Sequence, residues 1–189
     1  MRIIFVRHGL SEANINKYYS LDDTILDESG FGVLDNTREN LKKYNIDRVY
    51  TSDLYRAQQT AELLGFDEYT KDARLNELNF GDFKGRLFAD IEKEYVSFFD
   101  DIKADYFGHP YPAGESRRDL IARTSEFLDE LVEKDEDVLC VSHGLAIKSC
   151  LFWILKDIND WDSFWIENGS ITVFKIENGK KLIESVNLL

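Results

Sequence analysis

Two short apolar runs, far apart in the chain, each lead into a histidine followed by glycine. Residues 3–6 are all apolar and precede Arg7, His8 and Gly9, and residues 138–141 precede Ser142, His143 and Gly144. Uninterrupted apolar runs of this length, bounded by turn residues, predict buried strands of a parallel sheet. Ligands of open α/β sheets bind beyond the carboxyl ends of such strands. We therefore expect the two imidazoles to meet in one crevice.

Apolar residues at helical spacing predict helices between the strands. The strongest such pattern covers residues 116–133. The other predicted elements are a polar helix or loop at 11–19, helices at 31–44, 53–64 and 145–156, and a strand at 48–52. The turn at Asn178-Gly179 predicts a hairpin of strands 171–176 and 182–186. This order predicts a single domain, 1–189, with an α/β fold: a three-layer α/β/α sandwich around a largely parallel sheet.

Residues 81–113 interrupt this regular pattern and are expected to form a small aromatic-rich lid insertion over the crevice. From position 80 to position 111 the chain has nine aromatic residues: Phe80, Phe83, Phe88, Tyr95, Phe98, Phe99, Tyr106, Phe107 and Tyr111. Any one of them could equally belong to a satellite core that holds the insertion together. Phe83 and Tyr111 are candidates for substrate contact. His109 is a weaker candidate, since a lone loop histidine is more often structural or exposed to solvent.

The composition narrows the possible partners and the location. A formal net charge of −13 over 189 residues argues against nucleic acid or an anionic membrane as the main partner, because both require a basic surface. An anion site on this chain must come from a few focused charges. The sequence shows no membrane-spanning apolar run and no secretory signal pattern, which predicts a cytoplasmic protein. Cys140 and Cys150 are expected to be reduced core residues.

Several polar residues beside these elements could carry chemistry. Arg7 and His8, with Ser11 and Asn14 shortly after them, offer a cation, a nitrogen nucleophile and hydrogen-bonding groups. Arg56 lies in the first turn of a predicted helix, away from its apolar stripe, where a bound anion would favour it. The alternative for Arg56 is a solvated side chain paired with an acid. Glu77, flanked by apolar residues, is a candidate general acid, with an ordinary surface glutamate as the alternative.

The stretch 5–14 resembles the signature of the histidine phosphatase superfamily, the phosphoglycerate mutase-like fold. Four further stretches match that family in order: 52–57, Glu77 with 81–85, 112–116 and 142–144. Two positions depart from the pattern, because Ser11 stands where threonine is usual and Leu145 follows the second His-Gly where smaller residues or asparagine are common. Together the matching stretches cover nearly the whole chain.

The resemblance implies roles for individual residues. His8 would be the nucleophile that becomes phosphorylated, and Glu77 would protonate the leaving alcohol and later activate water. The phosphate would be bound by Arg7, Asn14, Arg56, His143 and Gly144, with Arg7, Arg56 and His143 also acting in catalysis. Ser11 is a further candidate for substrate contact. The resemblance implies no metal and no other cofactor.

Within that family, the short acidic lid favours a hydrolase of a small organic phosphomonoester, and the chain resembles α-ribazole phosphatases and broad-specificity phosphatases. A cofactor-dependent phosphoglycerate mutase and a non-catalytic phosphate-binding module of the same fold stay open as alternatives. A metal-dependent hydrolase is a further rival, which insensitivity to chelators would eliminate. The expected ligands are the phosphomonoester and phosphate, and the sequence leaves the oligomeric state open.

Overall fold

The computed structural model describes residues 1–155 and 161–189, and a six-stranded sheet forms its centre. In chain order the strands are β1 (Arg2–Arg7), β2 (Arg48–Thr51), β3 (Thr70–Lys71), β4 (Val138–Ser142), β5 (Ile171–Glu177) and β6 (Lys180–Leu188). Their order across the sheet is β3-β2-β4-β1-β5-β6. The pairings β3–β2, β2–β4 and β4–β1 are parallel, and the hairpin β5–β6 adds two antiparallel strands beside β1. The predicted α/β class with a largely parallel sheet is confirmed.

Helices cover both faces of this sheet. The helices are α1 (Glu12–Asn16), α2 (Phe31–Leu41), α3 (Tyr55–Leu63), α4 (Phe88–Glu94), α5 (Val96–Ala104), α6 (Arg117–Lys134) and α7 (Gly144–Leu155). Alternate residues of β1 serve opposite faces: Ile3 and Phe5 pack with residues of α6 and α7, whereas Ile4 and Val6 pack with residues of α2 and α3. Since side chains alternate along a strand, an all-apolar run is what a sheet covered on both sides requires.

Helices α2 and α3 have boundaries that differ from the sequence prediction. Helix α2 ends at Leu41, where the chain turns and the Tyr44 amide donates to the Leu41 carbonyl. Helix α3 begins at Tyr55 and not at residue 53, because the hydroxyl of Ser52 accepts a hydrogen bond from the Leu54 amide and holds a turn there. The predicted end of α7 at Lys156 lies outside the described residues.

The lid consists of α4 and α5 and the loops around them. Its inner residues form an aromatic cluster around Phe83, whose ring lies 4.7–5.5 Å from four other aromatic rings, those of Tyr19, Tyr95, Phe98 and Tyr111. This cluster also packs against α6 and α7 through Leu120 and Ala146. The insertion therefore has the satellite core that the sequence left as an alternative.

Two glycines join the lid to the segment that carries Glu77. A Cβ on Gly114 would lie 2.2 Å from the Asn79 carbonyl oxygen, and one on Gly81 would lie 1.9 Å from that of Pro112. Because the two loops approach so closely, the Asp82 amide donates to the Pro112 carbonyl and the Glu115 amide donates to the Asn79 carbonyl. The loop after Glu77 is thus held against the start of α6.

Two predictions from composition can be compared with the structure. Cys140 and Cys150 are both buried and free, as predicted. Among the helices of the described residues, none is both long and apolar enough to cross a membrane.

Candidate active site

His8 lies just beyond the carboxyl end of β1, with 3% of its surface exposed. Its Nδ1 is 2.7 Å from the carbonyl oxygen of Gly9, so Nδ1 carries the proton and Nε2 keeps its lone pair. Burial lowers the pKa of His8 well below its usual value, and the positive charges of Arg56 and Arg7 lower it further. The ring is therefore neutral near pH 7, with one nitrogen available as a nucleophile.

Arg56 is the second residue of α3 and is only 2% exposed. Its Nε donates to Nε2 of His8 at 3.3 Å, and its Nη1 donates to the Leu21 carbonyl oxygen at 3.1 Å. Burial lowers the pKa of Arg56 to about 10, which still leaves the guanidinium charged at neutral pH. The solvated alternative for Arg56 is wrong, since the side chain is buried and forms no ion pair with a described carboxylate.

His143 lies at the carboxyl end of β4, and its ring centroid is 5.0 Å from that of His8. Its Nε2 is 2.7 Å from the hydroxyl of Ser52, which already accepts a hydrogen bond from the Leu54 amide. The serine is therefore free to donate to Nε2, which leaves the proton of a neutral His143 on Nδ1. That Nδ1 is buried and has no hydrogen-bond partner among the described residues, so it is a donor available to an anion.

Arg7, the last residue of β1, directly precedes His8 in the chain. Its Nη1 donates to the carbonyl oxygen of Ile166 at 2.5 Å, while its Nε is buried without a partner among the described residues. Gly144 lies beside it, and a Cβ there would be 3.4 Å from the Arg7 Nε. Burial lowers the pKa of Arg7, and the nearby carboxylates of Glu77 and Glu167 oppose that effect.

Asn14 is held in one orientation by three donors to its side-chain oxygen. These are the amide and hydroxyl of Ser11 and the side-chain amide of Asn168, at 2.9–3.2 Å. The Oδ1 atom of Asn14 already accepts three hydrogen bonds, whereas its Nδ2 forms none with a described residue. This Nδ2 amide group is therefore a donor available in the wall of the cavity. Asn168 is a residue that the sequence analysis missed, and no local pattern marked it.

Glu77 lies in the loop after the short strand β3, at the amino-terminal end of α7. Its carboxylate accepts hydrogen bonds from the amides of Leu145 and Ala146 at 3.2–3.3 Å, and from Leu78 at 3.0 Å. The expectation that apolar groups surround this side chain is therefore wrong, because its carboxylate faces three backbone amides and the positive end of a helix dipole. Its backbone carbonyl accepts from Arg123, which forms an ion pair with Glu115.

Most of these groups border one cavity of about 160 Å³, whereas His143 and Gly144 are not part of its lining. Its lining includes Arg7, His8, Asn14, Arg56 and Glu77, so the structure brings together the residues that the sequence placed at one point. A second cavity of about 190 Å³ shares Arg56 and Glu77 with it. The sequence analysis missed three further lining residues, which are Tyr18, Tyr19 and Ser20. The lining also includes Phe80 and Phe88, from the aromatic stretch expected over the crevice, and Leu145.

Comparison with protein families shows to which family this chain belongs. The family model described as the histidine phosphatase superfamily (branch 1) matches residues 3–189. The chain belongs to this superfamily.

Named members of the histidine phosphatase superfamily agree with the assignment. A fructose-2,6-bisphosphatase of Saccharomyces cerevisiae is 33% identical over 90% of this chain, which spans only 38% of that relative. Phosphoserine phosphatase 1 of Hydrogenobacter thermophilus is 26% identical, covering 100% of this chain and 92% of that protein. The predicted enzyme class, a phosphatase of the histidine phosphatase type, is confirmed by these relatives.

Solved structures place this histidine phosphatase near the subgroup that its sequence resembled. The crystal structure of the α-ribazole phosphatase from Shigella flexneri superposes with a TM-score of 0.89 at 25% identity. The match covers 99% of this chain and 96% of the other. The resemblance to α-ribazole phosphatases is therefore seen in the structure as well as in the motifs.

Two predicted substrate contacts of this histidine phosphatase are wrong. Ser11 is fully buried and caps α1, where its hydroxyl donates to Asn14. Phe83 is also fully buried, because the lid cluster surrounds its ring. Neither side chain can touch a substrate in this arrangement.

Tyr111 and His109 are also absent from the lining of the cavity. Tyr111 is 7% exposed and packs in the lid cluster, and burial raises the pKa of its hydroxyl. The half-buried ring of His109 packs 5.4 Å from that of Phe98, which agrees with the structural alternative for this histidine. The aromatic residues that border the cavity are instead Tyr18, Tyr19, Phe80 and Phe88.

Proposed function

We propose that the protein is a metal-independent phosphomonoester hydrolase that passes the phosphoryl group through His8. The observation that carries this proposal is the state of the His8 ring, whose Nδ1 donates to the Gly9 carbonyl and whose unprotonated Nε2 accepts a hydrogen bond from Arg56. A neutral imidazole oriented in this way is a nucleophile. A module that only binds phosphate would need neither this nucleophile nor the adjoining carboxyl of Glu77.

In the first step, Nε2 of His8 attacks phosphorus in line as the bond between phosphorus and the alcohol oxygen breaks. Glu77 gives a proton to that oxygen, so the products are the free alcohol and phosphorylated His8. The charge on the equatorial oxygens is held by Arg7, Asn14 and Arg56, which line the cavity, and by Nδ1 of His143, whose ring lies beside that of His8.

In the second step, the Glu77 carboxylate takes a proton from water, whose oxygen attacks the phosphorus of phosphohistidine. The bond between phosphorus and Nε2 breaks, inorganic phosphate leaves and neutral His8 is restored. The two arginines supply the positive charge that metal ions supply in many other phosphoryl-transfer enzymes. Within residues 1–155 and 161–189, no three His, Cys, Asp or Glu side chains form a group able to hold a metal.

The proposed substrate is a small organic phosphate. A cavity of about 160 Å³ with an aromatic rim supports a phosphoryl group joined to an organic leaving group. The names of the relatives supply the first compounds to assay: fructose 2,6-bisphosphate, phosphoserine and α-ribazole phosphate. The cytoplasmic location stays a prediction from the sequence.

A quenched-flow experiment with ³²P-labelled phosphomonoester and added EDTA tests the proposal. We expect an acid-labile phosphoryl group on the wild-type protein, none on His8→Ala, and turnover that the chelator does not change. His109→Ala is the matched control and should behave as wild type. Full turnover by His8→Ala would remove the nucleophile assignment, and label passed to a second alcohol in place of water would favour the mutase alternative.

A further inference from the structure

The segment 166–170, just before β5, lies beside the loop that carries His8. Strand β5 is antiparallel to β1 with Ile171 opposite Val6, which places the residues before Ile171 next to those after Val6. The amide and the guanidinium of Arg7 both donate to carbonyl oxygens of this segment, at 3.1 and 2.5 Å. None of its residues belongs to the lining of the cavity of about 160 Å³, so the segment can affect the reaction through the residues that it contacts.

Within this segment, the side-chain amide of Asn168 lies among three oxygen atoms. Its Nδ2 donates to the His8 carbonyl at 3.0 Å, and to the Gly9 carbonyl and Oδ1 of Asn14 at 3.2 Å each. The two carbonyl oxygens can only accept, and Oδ1 of Asn14 already accepts from the Ser11 backbone amide. A nitrogen that bears hydrogens is therefore required at this position, which fixes the orientation of the Asn168 amide.

The Gly9 carbonyl is the acceptor that sets the position of the proton on the His8 ring. It accepts from Nδ1 of His8 at 2.7 Å, which leaves Nε2 unprotonated. Because a carbonyl oxygen has two lone pairs, it can accept from Asn168 at the same time. Among the described residues, Asn168 and His8 are the two side chains that donate to this oxygen. Without Asn168, the nucleophile would have to hold its own acceptor in place.

The peptide group between His8 and Gly9 is held at both ends. Its carbonyl accepts from Asn168, and its N–H donates to the Thr60 hydroxyl of α3 at 3.0 Å. The carbonyl of the next peptide group, that of Gly9, is bound to the same Asn168. Rotation of either peptide plane would therefore break a hydrogen bond to Asn168, and it would move the acceptor of the His8 ring proton.

Asn168 also orients a residue proposed to bind the phosphate. Since Oδ1 of Asn14 accepts from Asn168, the Nδ2 group of Asn14 is left to donate in the cavity wall. A single side chain thus contacts the backbone of the nucleophile, the acceptor of its ring proton and a donor to the phosphate. An asparagine suits these contacts because its amide group supplies two hydrogens from one nitrogen.

We propose that Asn168 is a positioning residue of the reaction, which holds the Gly9 carbonyl and Asn14 so that the His8 ring keeps the orientation required for attack. This inference rests on the proposed function, because it deepens the part that His8 has there. The effect on rate should be large, since a displacement of about 1 Å between reacting groups can cost about 100-fold.

Two substitutions of Asn168 test the proposal. Asn168→Asp keeps the shape of the side chain but directs a carboxylate oxygen at three other oxygens, and Asn168→Ala removes the group. With ³²P-labelled p-nitrophenyl phosphate, quenched flow measures the rate constant for phosphorylation of His8 at saturating substrate. We expect this rate constant to fall about 10- to 100-fold, further in Asn168→Asp than in Asn168→Ala. The loss should appear mainly in kcat and less in KM.

The ring proton of His8 provides a readout that does not depend on activity. In protein labelled with ¹⁵N-histidine, Nδ1–H of His8 should give an N–H signal in slow exchange with water, because this group is buried and hydrogen-bonded. His8→Ala assigns the signal by removing it. Asn168→Ala should weaken or abolish the signal, since the Gly9 carbonyl is then no longer held.

Two controls separate positioning from folding. Thr37→Val removes the hydroxyl that donates to the Gly169 carbonyl at 2.7 Å, so it loosens the same segment without changing the contacts of Asn168. It should lower the midpoint of urea unfolding but keep the rate constant and the His8 signal. Asn45→Asp, at an exposed asparagine, introduces the same charge elsewhere and should behave as wild type.

Rate constants within about twofold of wild type in both Asn168 variants would overturn the proposal. An equal loss in Thr37→Val would overturn it too, as would a His8 signal that is unchanged in Asn168→Ala. Failure of the proposed function has a different result, because the wild-type protein itself would then form no acid-labile phosphoryl group. The two failures are therefore distinguishable.

Discussion

The Nε of Arg56 lies 3.3 Å from Nε2 of His8, so a buried cation contacts the nitrogen that is proposed to attack phosphorus. Burial holds the pKa of His8 well below its usual value, and this contact lowers it further, because a nearby positive charge disfavours a protonated imidazole. An incoming phosphate offers the guanidinium a stronger acceptor and leaves the lone pair of His8 free. In the proposed mechanism, one arginine thus lowers the pKa of the nucleophile before binding and binds the anion afterwards.

Arg56→Ala is expected to raise the inhibition constants of vanadate and phosphate at least tenfold, about 1.4 kcal/mol of binding free energy. The change in unfolding free energy should be smaller, since the variant also removes a buried cation that lacks a carboxylate partner. Inhibition assays and urea denaturation measure the two quantities. Arg38→Ala, at an exposed arginine paired with Asp35, is the control. Equal anion inhibition in both variants would remove Arg56 from the phosphate site.

The pH dependence of stability should report the two buried histidines. Burial lowers the pKa of both His8 and His143 below their usual value of 6.5, and Arg56 adds to the effect. Between the lowered values and 6.5 the unfolded chain binds more protons, so stability falls as the pH drops below about 6.5, by up to about 1.4 kcal/mol per pH unit for each ring.

Urea denaturation at pH 7.5, 6.5 and 5.5 measures this slope. His143→Gln removes one of the two groups and should reduce the slope by about one proton. His109→Gln removes a histidine that is only half-buried and serves as the comparison. A wild-type slope that persists in His143→Gln would show that this ring is not held neutral by the fold.

Ser52→Ala should impair catalysis more than stability. The variant removes the donor to Nε2 of His143, at 2.7 Å, and with it the group that keeps the proton on Nδ1. We expect kcat/KM to fall about 10- to 100-fold, as when a catalytic histidine loses its orienting partner, and stability to fall by about 1 kcal/mol. Ser29→Ala, at an exposed hydroxyl that donates to Asp27, is the control. Kinetics equal to those of the control would contradict the assignment of the His143 proton.

Arg123→Met should act through the position of Glu77. Arg123 donates to the Glu77 carbonyl oxygen at 3.0 Å, and it also forms an ion pair with Glu115. We expect a loss of at least tenfold for alkyl phosphates and a smaller loss for p-nitrophenyl phosphate, because a good leaving group needs little proton donation. Comparing kcat for the two substrate types is the measurement. An equal loss of kcat for both substrate types would mean that Arg123 only stabilises the fold. Arg118→Met, at an exposed arginine in the same helix, is the control.

Gly114→Ala should destabilise the enzyme strongly, by about 3 kcal/mol or more, because the new Cβ would lie 2.2 Å from the Asn79 carbonyl oxygen. Gly32→Ala provides the opposite case, since a Cβ at this position of α2 has no neighbour within 4 Å. That variant should stabilise the protein by about 0.5–1 kcal/mol. Thermal unfolding measures both. A mild effect of Gly114→Ala would show that the loops carrying Asn79 and Gly114 can separate at low cost.

The sequence by itself determined five of the six strands described for the sheet and the two histidines that follow β1 and β4, and it pointed to Arg56 as an anion-binding candidate. Hydrophobic runs and helical spacing are local properties, and they specify which residues are buried in strands and helices. Because β1 and β4 are adjacent and parallel, residues that follow their carboxyl ends meet at one edge, and the motif order already implied that meeting. Cys140 and Cys150 were predictable in the same way, since both lie on strongly apolar elements.

Only the tertiary structure decided which neighbour each polar or aromatic residue has. Phe83 and Phe88 lie five positions apart in one aromatic stretch, yet one is fully buried in the lid and the other borders the cavity. Ser52 and His143 form a hydrogen bond across 91 positions of the chain. Contacts of this kind depend on how separate helices and strands pack against one another. Local periodicity predicts which side chains are buried, but it does not predict which groups surround them.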